Sequence, residues 1–105
     1  MQSALNIDLS QVNGSAFLRV EGEIDAESVV ELKAVLDSLR LDKHVVVDMA
    51  DVRFIDSSGV NALVERTLRI DGTGGSLRIS NPSRQVRRVV EITGLAQVFY
   101  DPPHE

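Results

Sequence analysis

The sequence contains no cysteine and no tryptophan, and only 4% of its 105 residues are aromatic. Without cysteine, neither disulfides nor thiolate metal sites can stabilise the fold, and a reducing cytoplasm is the natural setting. So few rings leave no base-stacking platform and no large aromatic ligand pocket. We therefore expect a cytoplasmic protein whose function resides on its surface.

Basic residues and long apolar stretches are also scarce. Eleven Lys and Arg residues stand against sixteen Asp and Glu residues, and the net charge of -5 disfavours binding to nucleic acid. Residues 1–6 lack the basic start and the apolar run of a secretory signal, and no later segment is long enough to span a bilayer. The sequence thus predicts neither a nucleic-acid partner nor membrane insertion.

The residues that are present suit one compact domain, because 43% of them are hydrophobic and the chain is long enough for a single core. We predict one domain over residues 1–105, in which Pro102 to Glu105 forms a flexible tail. Near the start, Leu5, Ile7 and Leu9 alternate with polar neighbours, and Asn13-Gly14 supplies a turn before Phe17 to Val20. This pattern predicts an antiparallel hairpin.

A first helix is expected after the hairpin. Asp25 is a suitable N-cap, and the helix should end near Arg40. Four apolar side chains recur at helical spacing on one face of this segment and should be buried: Val29, Leu32, Leu36 and Leu39.

The middle of the chain predicts a central strand and a second helix. The β-branched run Val45 to Val47 favours a strand covered by other elements, and Asp51 to Asp56 is expected to connect it to the helix. Apolar residues from Val60 to Leu68 then repeat at helical spacing until the segment 71–75, which contains three glycines, ends the pattern. These glycines lack the lysine and the spacing of a nucleotide-binding loop.

The last third predicts a strand, a helix and a final strand. Leu77 and Ile79 alternate, and Asn81-Pro82-Ser83 should start a third helix with Pro82 in its first turn. Gly94 is typical of a helix C-terminus, and Val98 to Tyr100 is predicted to be an edge strand. The order β-β-α-β-α-β-α-β indicates an α/β fold with a mixed sheet of four to five strands.

The segment Asp56-Ser57-Ser58-Gly59 links the predicted central strand to the second helix. It places a small hydroxyl at a helix N-terminus, where free NH groups and the helix dipole favour an anion. Ser57 is therefore a candidate site for a covalently attached phosphate. From the residues alone, helix capping by Ser57 and Ser58 is the alternative explanation.

Four segments together resemble the STAS domain of bacterial anti-sigma factor antagonists, which bind a kinase anti-sigma factor and so free a sigma factor. They are Gly22 to Asp25, Val45 to Asp48, Phe54 to Val60, and the stretch from Asn81 to Leu95. The resemblance spans nearly the whole chain. It implies a STAS fold, with the helices packed mainly on one face of the sheet.

The same resemblance assigns the phosphoryl group to Ser57 and implies a reversible switch. The unmodified protein would bind a serine-kinase anti-sigma factor, phosphorylation would inactivate it, and a phosphatase would restore it. ATP and magnesium would belong to the kinase, so this chain needs no cofactor and is a substrate, not an enzyme. It would be a monomer or a weak dimer. The implied partner-binding residues are Asp25, Asp56, Ser58, Gly59, Val60 and Asn61.

Two other roles within the family stay open. One is an accessory subunit of an ABC-type transporter, and the other is a component of a stress-signalling scaffold. Asn61 bears on partner choice, because many relatives have glycine two residues after the motif glycine. The alternatives differ in whether a kinase modifies Ser57.

Three further interpretations compete with this reading of the residues. A hydrolase with Ser57 as nucleophile needs a nearby base, but His44 enters the central strand and His104 lies in the predicted tail. Asp48, Asp51 and Asp56 show no convergent arrangement for a metal ion. The third concerns the arginines at 84, 87 and 88, for which contact with an acidic partner is the alternative; they are interpreted as a solvated helix face and left out of the site.

Overall fold

The computed structural model describes residues 4–100, and the predicted tail, Pro102 to Glu105, lies outside them. Over this range the chain forms a four-stranded sheet and four helices. No helix in the described part is both long and apolar enough to cross a membrane. The elements in chain order are β1 Leu5–Val12, β2 Ser15–Ile24, α1 Val29–Asp37, β3 His44–Ile55, α2 Ser57–Arg69, β4 Ser76–Ser80, α3 Arg84–Thr93 and α4 Ala96–Phe99.

The sheet has the strand order β1-β2-β3-β4 and is mixed. Strands β1 and β2 form the predicted antiparallel hairpin, in which Val12 pairs with Ser15 and Asn13 takes a φ of 54° in the turn. Asparagine tolerates this left-handed conformation better than most residues. Strands β3 and β4 then add in parallel, and helices provide the crossovers between the parallel strands.

Only one face of the sheet is covered by helices, as the family resemblance predicts. Along β2, alternate side chains from Ala16 to Ile24 are buried, while Phe17, Arg19 and Glu21 between them are exposed. Because successive strand residues point to opposite faces, the buried set marks the face beneath the helices. The core therefore lies between this face and α1, α2, α3 and α4.

Strand β3 is longer than predicted, so the expected connection from Asp51 to Asp56 is wrong. The strand continues to Ile55 because it stays paired with β2 to that point, with two register shifts, between Arg19 and Glu21 and between Gly22 and Glu23. Each shift inserts one extra residue into β3, as a β-bulge does. The insertions break the strict alternation by which the sequence would have shown a strand.

The predicted edge strand from Val98 to Tyr100 is also wrong. The chain turns at Gly94, which has a φ of 74°, and the Leu95 NH donates to the Val90 carbonyl at 3.0 Å to close α3. Residues 96–99 then form the short helix α4, and Phe99 is fully buried. Burial of this ring against the core holds the segment as a helix, so the sheet has four strands.

The starts of α1 and α3 differ from prediction by a few residues. Helix α1 begins at Val29, and Ser28 before it makes no capping bond. Asp25 caps the turn that leads into α1, since its side chain accepts from the Glu27 and Ser28 NH groups and its carbonyl from the Val29 NH; α1 ends at Asp37, before Arg40. In α3 the Ser83 hydroxyl accepts from the Val86 NH at 3.2 Å, which places Pro82 before the cap and outside the first turn. The predicted burial of Val29, Leu32, Leu36 and Leu39 is confirmed, with Leu39 just after the end of α1.

A buried arginine joins α1 to α2. Arg66 is only 3% exposed, and its guanidinium donates to the carbonyls of Leu36 at 2.6 Å, Arg40 at 2.9 Å and Leu39 at 3.2 Å. These carbonyls lie at the end of α1 and just after it; those of Leu36 and Arg40 also accept from the NH groups of Leu39 and Lys43, whereas the Leu39 carbonyl depends on Arg66. Burial lowers the pKa of Arg66 from its ordinary value. This contact fixes the position of α2 against α1.

Candidate phosphorylation and partner-binding site

The turn that contains Ser57 is anchored to the carboxyl ends of two neighbouring strands. Ile24 ends β2 and pairs with Ile55, which ends β3. The Asp56 NH donates to the Ile24 carbonyl at 3.2 Å, and Asp56 itself is extended, with φ -113° and ψ -171°. The chain therefore enters α2 from a fixed point at the edge of the core.

Asp56 is the N-cap of α2, and neither serine performs this role. Its Oδ1 atom accepts from the Ser58 NH at 2.9 Å and from the Gly59 NH at 3.4 Å. The capping hypothesis for Ser57 and Ser58 is therefore wrong. The expectation of free NH groups needs correction too, because Asp56 already occupies two of them, and a phosphate on Ser57 would be favoured mainly by the helix dipole.

Ser57 is the first residue of α2, and its side chain is exposed. Within residues 4–100, the Ser57 hydroxyl makes no side-chain hydrogen bond. Ser58 is half-buried, so the two hydroxyls differ in accessibility. The structure thus presents Ser57 as the hydroxyl that another protein can reach without unfolding the turn.

Gly59 and Val60 lie on the core side of α2. A Cβ atom at Gly59 would lie 2.7 Å from the Ile24 Cγ2 atom and 2.8 Å from the Ile55 Cγ1 atom, which is closer than real contacts allow. Val60 is 5% exposed. Their burial gives them a positional role at the site, whereas Asn61 is exposed and faces solvent.

Asp25 lies at the same edge of the sheet, directly after Ile24. Its Oδ1 atom accepts from the Ser28 NH at 2.8 Å and from the Glu27 NH at 3.0 Å. The Ser28 hydroxyl in turn accepts from the Asp25 NH and donates to the Glu23 carbonyl. The Ser28 NH contributes most to lowering the pKa of Asp25. The structure therefore brings the Asp25 turn and the Ser57 turn together.

Two exposed apolar side chains at this edge were missed by the sequence analysis. Val30, in the first turn of α1, is 64% exposed, and Phe54, next to the end of β3, is 41% exposed. Single exposed apolar residues are common on protein surfaces, so these two do not by themselves mark an interface. Sequence signals for both were available, since Val30 lies off the predicted buried face of the first helix and Phe54 stands in a segment predicted to be a connection.

The hydrolase and metal interpretations gain no geometric support. His44 lies at the opposite end of the 12-residue β3, where its Nδ1 atom is 3.0 Å from the Ser76 hydroxyl, and His104 lies outside the described residues. The Asp51 carboxylate pairs with Arg19 at 3.0 Å. Within residues 4–100 no three His, Asp or Glu side chains form a possible metal site.

This architecture, with a serine turn at the carboxyl edge of a half-covered mixed sheet, defines the class of the protein. The chain belongs to the STAS domain family, whose model matches residues 6–104. The match confirms the family resemblance found in the sequence. It also accounts for the fold, since the described elements lie almost entirely within the matched range.

Within the family, the chain is similar to anti-sigma factor antagonists. It is 30% identical over 96 residues to the anti-sigma-B factor antagonist of Bacillus subtilis (strain 168), covering 90% of this chain and 88% of that protein. It is 25% identical over 98 residues to the anti-sigma F factor antagonist of Paenibacillus polymyxa, covering 90% of this chain and 84% of that protein. These relatives are regulators.

Solved structures show the same fold. An anti-sigma factor antagonist from Mycobacterium paratuberculosis superposes with a TM-score of 0.77 at 23% identity, covering 93% of this chain and 86% of that one. The antagonist SpoIIAA in its unphosphorylated form gives 0.74 at 24% identity, with coverages of 94% and 90%. Its phosphorylated Bacillus form gives 0.67 at 23% identity, with coverages of 94% and 93%.

Proposed function

We propose that this protein is an anti-sigma factor antagonist controlled by phosphorylation of Ser57. In its unmodified form it binds an anti-sigma factor that is also a serine kinase, and the sigma factor is released. The observation that carries the proposal is an exposed, unengaged Ser57 at the start of α2, in a chain 30% identical to a known antagonist.

The partner would dock on the carboxyl edge of the sheet. This surface combines the acidic Asp25 turn, Ser57, and the exposed Asn61 and Val30 on the helix side of the sheet, whereas Phe54 lies on the uncovered face with Glu23. Docking there covers the Ser57 hydroxyl, which is what a kinase that both binds and modifies this protein requires. Asp56 and Gly59 fix the position of this surface without contacting the partner. Asp56 caps α2, and Gly59 lets the start of α2 pack closely against the core.

Phosphorylation would change binding much more than folding. A phosphoserine carries about -1.5 to -2 charges at neutral pH, and the dipole at a helix N-terminus favours it by roughly 0.3 to 1 kcal/mol. Asp56 opposes this gain with a like charge, but unit charges about 4 Å apart repel by only about 1 kcal/mol in water. The isolated domain should therefore keep its fold.

The balance differs once a partner removes the water. At an effective dielectric of 20, the same two charges repel by about 4 kcal/mol, so docking costs about 3 kcal/mol more than in the free protein. A difference of this size weakens binding by more than about 100-fold. Charge at the interface is thus sufficient to release the partner, without rearrangement inside the domain.

In this scheme the protein supplies one hydroxyl and the partner supplies the catalysis. The γ-phosphoryl group of ATP is transferred to the Ser57 Oγ atom, the hydroxyl proton passes to a base of the kinase, and ADP leaves. ATP and magnesium are held by the kinase, so this chain carries no cofactor. A phosphatase hydrolyses the ester with water and restores the hydroxyl. The setting is the cytoplasm, and the protein acts as a monomer or a weak dimer.

The test is incubation of the purified protein with the candidate anti-sigma kinase and magnesium-ATP, followed by peptide mapping. We expect one phosphoryl group on Ser57, no modification of the Ser57→Ala variant, and normal modification of the Ser58→Ala control. Binding without any modification would instead favour the transporter-subunit or scaffold role. Modification at Ser58 with Ser57 untouched would contradict the assignment.

A further inference from the structure

Helix α3 carries a cluster of arginines that the Ser57 site does not use. Arg84, Arg87 and Arg88 are all exposed, and none of them forms an ion pair with any residue between 4 and 100. Other exposed arginines do have carboxylate partners. Those pairs are Arg19 with Asp51, Arg40 with Asp42, Arg53 with Glu23 and Arg69 with Asp37. The α3 cluster thus differs from these surface arginines.

The spacing places an apolar side chain in line with the arginines. Arg84, Arg88 and Ile92 recur every four residues, and each step advances about 6 Å along one side of the helix. Ile92 is 74% exposed, while Val86 and Val90 anchor the opposite side in the core. We call Arg84, Arg87, Arg88 and Ile92 the α3 basic stripe.

The position of the stripe is unfavourable for the helix itself. Arg84 is the first residue of α3, and this first turn contains no acidic residue. A cation there opposes the positive end of the helix dipole. Glu91 lines the same shallow groove as the three arginines but forms no ion pair with them, so this cost is at most partly offset within the described residues, and an external anionic group would offset it further.

We propose that the α3 basic stripe binds an acidic segment of a partner protein, with Asp or Glu side chains on the arginines and an apolar side chain against Ile92. Guanidinium groups present a planar fork of donors that matches carboxylates. A lipid surface or nucleic acid fits less well. The net charge of -5 opposes an extended polyanion, such as a bilayer or a duplex, more than a short segment that contacts only the stripe, whereas Glu91 in the same shallow groove repels either kind of anion.

The stripe and the Ser57 site share no residue, so they can be tested separately. The probe is a fluorescein-labelled peptide of twelve residues, made of glutamates around a central leucine, and its control has glutamine for every glutamate. The test variant is Arg84→Gln/Arg87→Gln/Arg88→Gln. A matched control variant, Arg19→Gln/Arg40→Gln/Arg53→Gln, has the same loss of three positive charges from exposed positions.

We expect the acidic peptide to bind, the glutamine peptide not to bind, and the α3 variant to bind at least about tenfold more weakly, since it loses its charge-assisted hydrogen bonds. Peptide binding by the matched control variant should weaken less than about half as much as in the α3 variant, because its three arginines already have carboxylate partners. Amide chemical-shift changes should be confined to α3. The α3 variant should unfold at the same temperature or higher, since a cation leaves the helix N-terminus.

Three results would overturn the proposal. One is that the acidic peptide does not bind, or that it binds the two triple variants with equally reduced affinity. Another is tighter binding of phosphatidylserine vesicles or duplex DNA than of the peptide, which would indicate a membrane or nucleic-acid surface. The last is arginine-dependent self-association in sedimentation, which would make a second copy of this chain the occupant.

Discussion

Replacement of Asp56 by alanine tests whether this carboxylate, and not a serine, holds the start of α2. The change removes the acceptor of the Ser58 NH at 2.9 Å and of the Gly59 NH at 3.4 Å. The first contact is a full hydrogen bond and the second is weak by its length. We therefore expect the loss of one cap, a destabilisation of about 1 kcal/mol. In a domain of this size, that lowers the unfolding temperature by about 4 to 8 °C.

Thermal and urea unfolding followed by circular dichroism measure this effect. Asp56→Asn keeps the Oδ1 acceptor and should stay within about 0.5 kcal/mol of the parent protein, as should the Ser58→Ala control. The reasoning is refuted if Asp56→Ala unfolds like the parent protein. It is equally refuted if Asp56→Asn is destabilised as much as Asp56→Ala, since charge and not capping would then be responsible.

Three further predictions concern the framework of the site. Gly59→Ala should lower the free energy of unfolding in urea by about 1 to 3 kcal/mol, because the added methyl group meets two buried isoleucines. Gly14→Ala, where the added methyl group meets open space, should change it little. Equal stability of the two variants would contradict this. Arg66→Met should cost roughly 1 to 3 kcal/mol by the same assay, since it leaves the Leu39 carbonyl without a donor and removes the bonds to the Leu36 and Arg40 carbonyls. An unchanged midpoint would refute this. The folded-state pKa of Asp25 is lowered, so it adds stability above about pH 4 that disappears as pH falls through that lowered pKa. Asp25→Asn should therefore show a smaller loss of stability on acidification, and an unchanged pH dependence would argue against the contact.

Most elements were predictable because their buried apolar residues recur at one regular spacing along the sequence. The hairpin, α1, the start of β3, α2 and α3 each carry an apolar pattern of two or 3.6 residues that the fold preserves. The rest of β3 was missed because two bulges reset its alternation. The segment from Val98 to Tyr100 was misread because three residues cannot distinguish strand from helix, and the deciding factor, burial of Phe99, is tertiary.

The location of the Ser57 turn was predictable from the sequence, but its hydrogen bonds were not. A strand followed by Asp56-Ser57-Ser58-Gly59 and a periodic helix was enough to locate the turn. Capping by Asp56 was not evident, since aspartate and serine are both good N-caps and only the backbone geometry decides between them. Exposed Val30 could have been found, because at about 100° around the helix from Val29 it lies off the face that Val29, Leu32 and Leu36 bury.

The central claim is that negative charge on Ser57 prevents docking without unfolding the domain. The direct measurement is calorimetric titration of the anti-sigma factor with the unmodified protein and with the same protein stoichiometrically phosphorylated on Ser57, with circular dichroism spectra of both. The account predicts matching spectra and binding at least about 100-fold weaker for the phosphorylated form. Equal affinities of the two forms would contradict it.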